Sequence, residues 1–243
     1  ATGSLRRRAQ VLAARPDAGW LAIAGVDCDE AALRDSSLAR TFAIGTEWTL
    51  GQGCGGDAQR GTRVMAHKSQ KAIEEFIDGA ALVIVLAGMG GGLGSGGAPV
   101  LARQLRRSHH SGLFLVTMPF SFEGHARHET AEEGIRQLLP DADVVVPLPN
   151  DLLFATLAAD TPADRAFQAA DEALAGVVLA LAELLRCRTL LAADFADLRH
   201  LLGKRKTYCA IGFAETAAPA VGDPAAALLD RLLVSPLLGG VRR

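Results

Sequence analysis

The stretch Gly88-Met89-Gly90-Gly91-Gly92-Leu93-Gly94-Ser95-Gly96-Gly97-Ala98-Pro99 holds seven glycines in twelve residues. It follows an apolar run, Ala81-Leu82-Val83-Ile84-Val85-Leu86-Ala87, that reads as a buried strand. It precedes Val100-Leu101-Ala102-Arg103-Gln104-Leu105, which reads as a helix. A strand, a glycine loop and a helix start together make a place to hold phosphate. Glycine lets backbone N–H groups come close to an anion, and a helix N-terminus adds partial positive charge.

Working outward, strands and helices alternate. Residues 5–14 read as a helix and residues 20–26 as a strand, ended by the acidic turn Asp27-Cys28-Asp29-Glu30. A second glycine loop is Gly51-Gln52-Gly53-Cys54-Gly55-Gly56-Asp57; taken alone, it could equally be a flexible surface loop. Residues 61–77 read as one helix, with Ile73, Phe76 and Ile77 on one face. Beyond the opening stretch, residues 113–117 and 144–149 read as strands. Thr161-Pro162 marks the start of a long helix reaching about Arg186, with Thr as N-cap and Pro at the first helical position. Residues 207–213 read as a strand and 225–233 as a helix. The pattern predicts an α/β fold, a parallel sheet with helices on both faces. Ligands of such sheets sit at the C-terminal strand ends.

Composition narrows the function classes. The chain has 243 residues, 49% hydrophobic and 21% charged, enough for a substantial core. Its formal net charge of -2 offers no electrostatic case for nucleic acid as a partner. The short basic runs Arg6-Arg7-Arg8, Lys204-Arg205-Lys206 and Arg242-Arg243 read as solvated surface. Cys28, Cys54, Cys187 and Cys209 lie far apart with no Cys-x-x-Cys spacing, which predicts neither a zinc site nor a redox pair. Free thiols fit a cytoplasmic location. No run approaches about 18 uninterrupted apolar residues, and the first residues contain no apolar signal region. His125 and His128 near Glu129 have metal-like spacing but read as exposed helix residues, so no metal ligand is assigned.

A P-loop requires Gly-Lys-Ser or Gly-Lys-Thr, and the main glycine loop has no lysine. A dinucleotide loop usually follows the first strand, whereas this one follows a middle strand. Backbone amides, Ser95 and the helix dipole must then hold the phosphate. A divalent cation such as Mg2+ would help offset triphosphate charge.

Gly90-Gly91-Gly92-Leu93-Gly94-Ser95-Gly96 resembles the tubulin/FtsZ signature Gly-Gly-Gly-Thr-Gly-Thr/Ser-Gly. Pro119-Phe120-Ser121-Phe122-Glu123-Gly124 is similar to that family's Pro-Phe-x-Phe-Glu-Gly, and Pro149-Asn150-Asp151 to its Pro-Asn-Asp. Asp194-Phe195-Ala196-Asp197 and Ser235-Pro236-Leu237-Leu238 resemble further segments in the same order and spacing. The resemblance covers nearly the whole chain.

It implies a GTP/GDP site and GTPase activity. Gly94, Ser95 and Gly96, with Gly90, Gly91, Gly92 and Leu93, would cradle the phosphates. Glu123 would bond the ribose, with Arg127 near the nucleotide. Phe167 would lie against the guanine ring, and Asp171 would accept from guanine N1–H and its amino group. Asp27 sits in the family's Asn-Thr-Asp turn. Gly53, Cys54 and Gly55 would sense the γ-phosphate. Gly3 and Ser4 would end the first glycine loop. Asp194 and Asp197 would enter the next subunit's site and orient the attacking water, in a head-to-tail self-association. From spacing alone, that Asp pair reads as a helix cap.

Three positions depart from the family pattern. Leu93 replaces a Thr, Ser4 stands where Asn is usual, and Ala192 replaces an Asn. Residues 1–188 are expected to form the GTP-binding domain, including a central helix over about 161–187. Residues 189–243 are expected to carry the catalytic loop and a remnant of the family's second domain, as in a shortened FtsZ-like protein. No membrane adaptor is identified. The alternative function is a nucleotide-bound structural or regulatory protein with little turnover.

Overall fold

The computed structural model describes residues 21–36, 38–67, 70–154, 157, 161–186, 207–212 and 224–233. The expected helix over residues 5–14 lies outside them, as do Trp20, Gly3, Ser4, Asp194 and Asp197. The described elements are, in order, β1 (Gly25–Asp27), α1 (Glu30–Asp35), β2 (Thr41–Ala43), α2 (Thr46–Thr49), α3 (Ala58–Ala66), α4 (Gln70–Ile77), β3 (Val83–Gly88), α5 (Gly92–Arg107) and β4 (Gly112–Met118). A 3-10 turn (Ser121–Glu123), α6 (His125–Leu138), β5 (Val144–Pro149), α7 (Asn150–Phe154), α8 (Ala163–Arg186), β6 (Thr207–Tyr208) and α9 (Pro224–Leu233) follow.

Among the described residues, all strand pairs are parallel, in two sheets. β1 pairs with β2, placing Asp27 opposite Ala43. The larger sheet runs β3-β4-β5-β6. Its register places Gly88 beside Thr117 and Met118 beside Pro149, so these strands end together. The apolar alternation of β4 explains why both faces are covered. Leu113 and Leu115 point to one face, where Leu148, Leu174 and Val177 cover them. Phe114 and Val116 point to the other, among Val64, Leu105 and Leu138. Strands buried on both faces read as continuous apolar runs, which is why the sequence signal here is strong.

Four expectations need correction. The strand expected over residues 20–26 is a ladder only at Gly25–Asp27, because its partner β2 is three residues long. The single helix expected over residues 61–77 is two helices. α3 ends at His67, whose backbone is extended (φ -81°, ψ 177°). The imidazole there meets Glu47 at 3.2 Å and the Trp48 ring at 4.3 Å, so partners on α2 favour the break. The helix expected from Val100 begins eight residues earlier, at Gly92. The glycine-rich stretch is therefore mostly a helical first half, and it tolerates Pro99 inside the helix. Thr207–Tyr208, assigned from sequence to the second portion of the chain, pair with Val144 and Val145 of β5 and extend the main sheet.

The long helix is present as α8, and the Pro162 carbonyl accepts from the amides of Arg165 and Ala166 at its start. No described helix is long and apolar enough to cross a membrane.

Candidate functional site

The loops at the C-terminal strand ends join one another through specific bonds. The Met89 amide donates to the Thr117 carbonyl over 2.9 Å, tying the loop after β3 to the end of β4. The Ser121 amide donates to Asp151 Oδ1 over 2.9 Å, tying the turn after β4 to the start of α7. Asp29 and Gln52 form an antiparallel bridge between the turn after β1 and the loop before α3.

At the centre is the start of α5. Its N-cap is Gly91, with extended backbone and no side-chain cap. The first intrahelical bond here is Ser95 N–H to the Gly91 carbonyl, at 3.2 Å. The preceding amides of this turn have no acceptor within the helix. A Cβ on Gly91 would meet nothing within 4 Å, so this position faces open space. An uncapped helix N-terminus beside open space suits a phosphate group.

The neighbouring glycines do different work. A Cβ on Gly94 would lie 2.0 Å from the Gly88 carbonyl oxygen, and one on Gly96 would lie 1.9 Å from that of Ala58. A Cβ on Gly92 would meet Cys54 Cβ at 2.5 Å. These three let α5 lie directly on β3, α3 and the second glycine loop. Gly96 thus faces α3, where the Thr62 hydroxyl donates to its carbonyl over 3.0 Å. Gly90 adopts φ +88° and is walled by Pro119 and Arg127. Ser95 is buried, and its hydroxyl accepts from the Gly90 amide over 2.8 Å. The Ser95 oxygen expected beside phosphate is therefore turned into the loop that shapes the cradle. Leu93 packs partly against the core, near Gly97.

The second glycine loop is ordered by its backbone. Gly51, Gly53, Gly55 and Gly56 all have positive φ. The Gly53 amide donates to the Cys28 carbonyl over 3.3 Å. Asp57 closes the loop by capping α3 at the Arg60 amide. Gly55 and Gly56 face open space, whereas Cys54 is buried against Gly92. Asp27 Oδ1 accepts from the amides of Cys28 and Asp29, and Asp29 caps α1 at Ala32.

On the other side, Glu123 receives the Phe120 amide at 2.9 Å and Arg127 Nη1 at 2.6 Å. Phe120 stacks on Phe122, with centroids 4.9 Å apart, and Phe167 of α8 meets Phe120 edge-on at 4.9 Å. Phe122 is half exposed, so the aromatic group is open on one side. Asp171, one turn beyond Phe167 on α8, is buried. Among the described residues, no group of three or more His, Cys, Asp or Glu could hold a metal ion.

Two features escaped the sequence reading. Gly61 has no room for a Cβ, which would lie 2.0 Å from the Gly92 carbonyl oxygen. Its only signal was being a glycine inside a helix. Cys28 and Cys54, 26 residues apart, are both free thiols, and they bring their sulfurs to 3.1 Å. Spacing along the chain cannot report such a contact, because strand and loop packing create it.

Residues 21–158 match the model of the Tubulin/FtsZ family, GTPase domain. The chain belongs to the tubulin/FtsZ family. It is 36% identical to the cell division protein FtsZ of Methanothermobacter thermautotrophicus over 213 residues, covering 88% of this chain and 54% of that protein. It is 35% identical to the FtsZ of Haemophilus influenzae over 208 residues, covering 86% and 48%. This family member thus spans about half the length of the curated relatives it matches. Among solved structures it is similar to an empty FtsZ dimer of M. jannaschii, with TM-score 0.80 and 31% identity over 88% of this chain and 61% of that one. It is also similar to a GTPγS-bound protofilament of CetZ2 from Haloferax volcanii, with TM-score 0.66 and 30% identity over 77% and 57%. The uncapped start of α5 lies within the matched tubulin/FtsZ GTPase domain.

Proposed function

We propose that this protein binds GTP and GDP at the start of α5 and hydrolyses GTP in head-to-tail assemblies of its own copies. The observation that carries this reading is the side-chain-free N-terminus of α5, open at Gly91. Its amides and helix dipole would hold the phosphates without a lysine. Glu123, fixed by Phe120 and Arg127, would accept from the ribose. Phe167 would lie against guanine, and the buried Asp171 would accept its N1–H and amino group. Adenine offers no such pair of donors. Mg2+ would accompany the triphosphate and offset part of its charge.

Asp194 and Asp197 are assigned to the attacking water in a neighbouring copy's site. Phosphoryl transfer depends mainly on positioning and electrostatics, which suits a carboxylate aligned on water. The contact would be heterologous, giving filaments or closed rings. The similar structures, an FtsZ dimer and a GTPγS-bound CetZ2 protofilament, support self-association. A cytoplasmic location fits the cell division proteins it resembles.

A second reading, a nucleotide-bound structural or regulatory protein, is favoured by Leu93. This residue brings no hydroxyl to the cradle and packs partly into the core. Sedimentation with GTP, GDP or no nucleotide, beside a hydrolysis assay, separates the two. GTP-dependent pelleting, with hydrolysis lost in Asp194→Ala but assembly retained, is the result expected. Negligible turnover at every protein concentration despite tight GDP binding would establish the second reading instead.

A further inference from the structure

We propose that Cys28 and Cys54 form a reversible disulfide under the nucleotide site, making nucleotide affinity sensitive to thiol oxidants. The coupling rests on the nucleotide reading above; the disulfide itself does not.

The two sulfurs lie 3.1 Å apart in the reduced protein, and both side chains are buried. A disulfide requires about 2.05 Å, so closure needs a movement of about 1 Å. The backbones are already tied side by side. The Gly53 amide and the Thr49 hydroxyl both donate to the Cys28 carbonyl, and Asp29 bridges to Gln52. Four positive-φ glycines flank Cys54, at 51, 53, 55 and 56, and give the loop freedom to follow its sulfur.

Position couples this pair to the site. Cys54 Cβ packs 2.5 Å from where a Cβ on Gly92 would be, beside the first turn of α5. It also lies between Gly53 and Gly55, the residues assigned to the γ-phosphate. Drawing Cys54 toward Cys28 shifts the backbone on either side of it, at Gly53 and Gly55. Cys28 lies in the turn that Asp27 organises. Both ends of the crosslink therefore belong to loops of one site.

Burial pushes both thiols above their ordinary range, most of all Cys28. The hydrogen bond between them raises Cys28 further and eases Cys54. Cys54 keeps residual exposure, 5% against 0% for Cys28, and is the thiol that meets an oxidant first. With hydrogen peroxide as oxidant, Cys54 sulfur attacks one peroxide oxygen, becomes a sulfenic acid, and one water leaves. Cys28 sulfur then attacks Cys54 sulfur, the S–O bond breaks, and the second water leaves. Two thiols lose two protons and two electrons, and peroxide is reduced to two waters. A thiol reductant reverses the step by exchange.

By linkage, if the disulfide weakens nucleotide binding, bound nucleotide opposes the disulfide by the same factor. The test uses the full chain, reduced with dithiothreitol or oxidised with hydrogen peroxide, followed by peptide mapping and GDP titration. Expected is a peptide linking Cys28 to Cys54, with a mass lower by two hydrogens and two of the four thiols lost. GDP affinity should fall about tenfold or more on oxidation and return with reductant. GDP present beforehand should slow formation of the link. Cys28→Ala should bind GDP like the reduced protein and ignore peroxide. A Cys187→Ala, Cys209→Ala double variant should still crosslink.

Retention of four thiols, or a link between other cysteines, would overturn the disulfide. A linked protein that binds GDP as tightly as the reduced one would overturn the coupling. A reduced protein that binds neither GTP nor GDP would overturn the nucleotide reading and the coupling with it, while the linked peptide would still establish the disulfide.

Discussion

The Gly90 amide donates to the Ser95 hydroxyl over 2.8 Å in a buried bond. It closes the loop between β3 and α5, so one residue of the signature shapes the backbone that others present to phosphate. A Cβ on Gly134 of α6 would come within 2.8 Å of Ser95 Cβ, so the side chain is also clamped from behind. Ser95→Ala leaves a buried N–H without its acceptor, which costs about 1–3 kcal/mol. Urea unfolding should show that loss, and GDP affinity should fall with it because the loop is no longer fixed.

Gly91 and Gly96 should separate ligand binding from packing. Gly96→Ala places a methyl 1.9 Å from the Ala58 carbonyl oxygen, between backbones that cannot rotate away. Overpacking of this kind costs about 1–3 kcal/mol, and the unfolding midpoint should drop. Gly91→Ala meets open space. Its stability should change by about 1 kcal/mol or less, while GDP affinity falls because the new methyl enters the cradle.

Leu93→Thr restores the hydroxyl of the family signature and removes a side chain packed partly on the core. Stability should fall by about 1 kcal/mol or more. GTP affinity and turnover should hold or rise. Turnover that falls further than stability explains would show that Leu93 serves the site itself.

Burial raises the thiols of Cys28 and Cys54 above their ordinary value of 9.0. Nearby Asp27 adds to the rise at both, and Arg60 opposes it at Cys54. A group that holds its proton more tightly when folded stabilises the fold below its unfolded value and loses that contribution as pH rises past it. Stability of the reduced protein should therefore fall above about pH 9. Cys28→Ala should flatten that fall, as seen by unfolding at pH 8 and pH 10.

The sequence made the sheet and the central glycine stretch readable for a physical reason. β4 and β5 are buried on both faces, and β3 packs partly buried residues against both core clusters, so their apolar runs are uninterrupted. The family motifs mark strand ends, where loops meet. What stayed hidden depends on contacts distant along the chain. The glycines of 92–97 look like a flexible loop in sequence, yet their lack of Cβ atoms is what permits a helix pressed against β3 and α3. The buried bond from the Gly90 amide to the Ser95 hydroxyl has no signal in sequence. The break at His67 brings its ring against Glu47 and Trp48, on another helix. The Cys28 and Cys54 pair depends on the packing of a turn against a loop. Asp194 and Asp197 fall outside the described residues, so their role stands on the motif alone.

The most direct test of the central claim, a guanine-nucleotide site at the start of α5, is calorimetric titration of the reduced protein with GDP and with ADP, repeated on Gly91→Val. The account predicts saturable GDP binding, preferred over ADP by about a hundredfold or more because Asp171 pairs with guanine donors. It also predicts loss of that binding in Gly91→Val with the fold intact. Equal affinity for the two nucleotides, no binding of either, or GDP binding that survives Gly91→Val unchanged would contradict it.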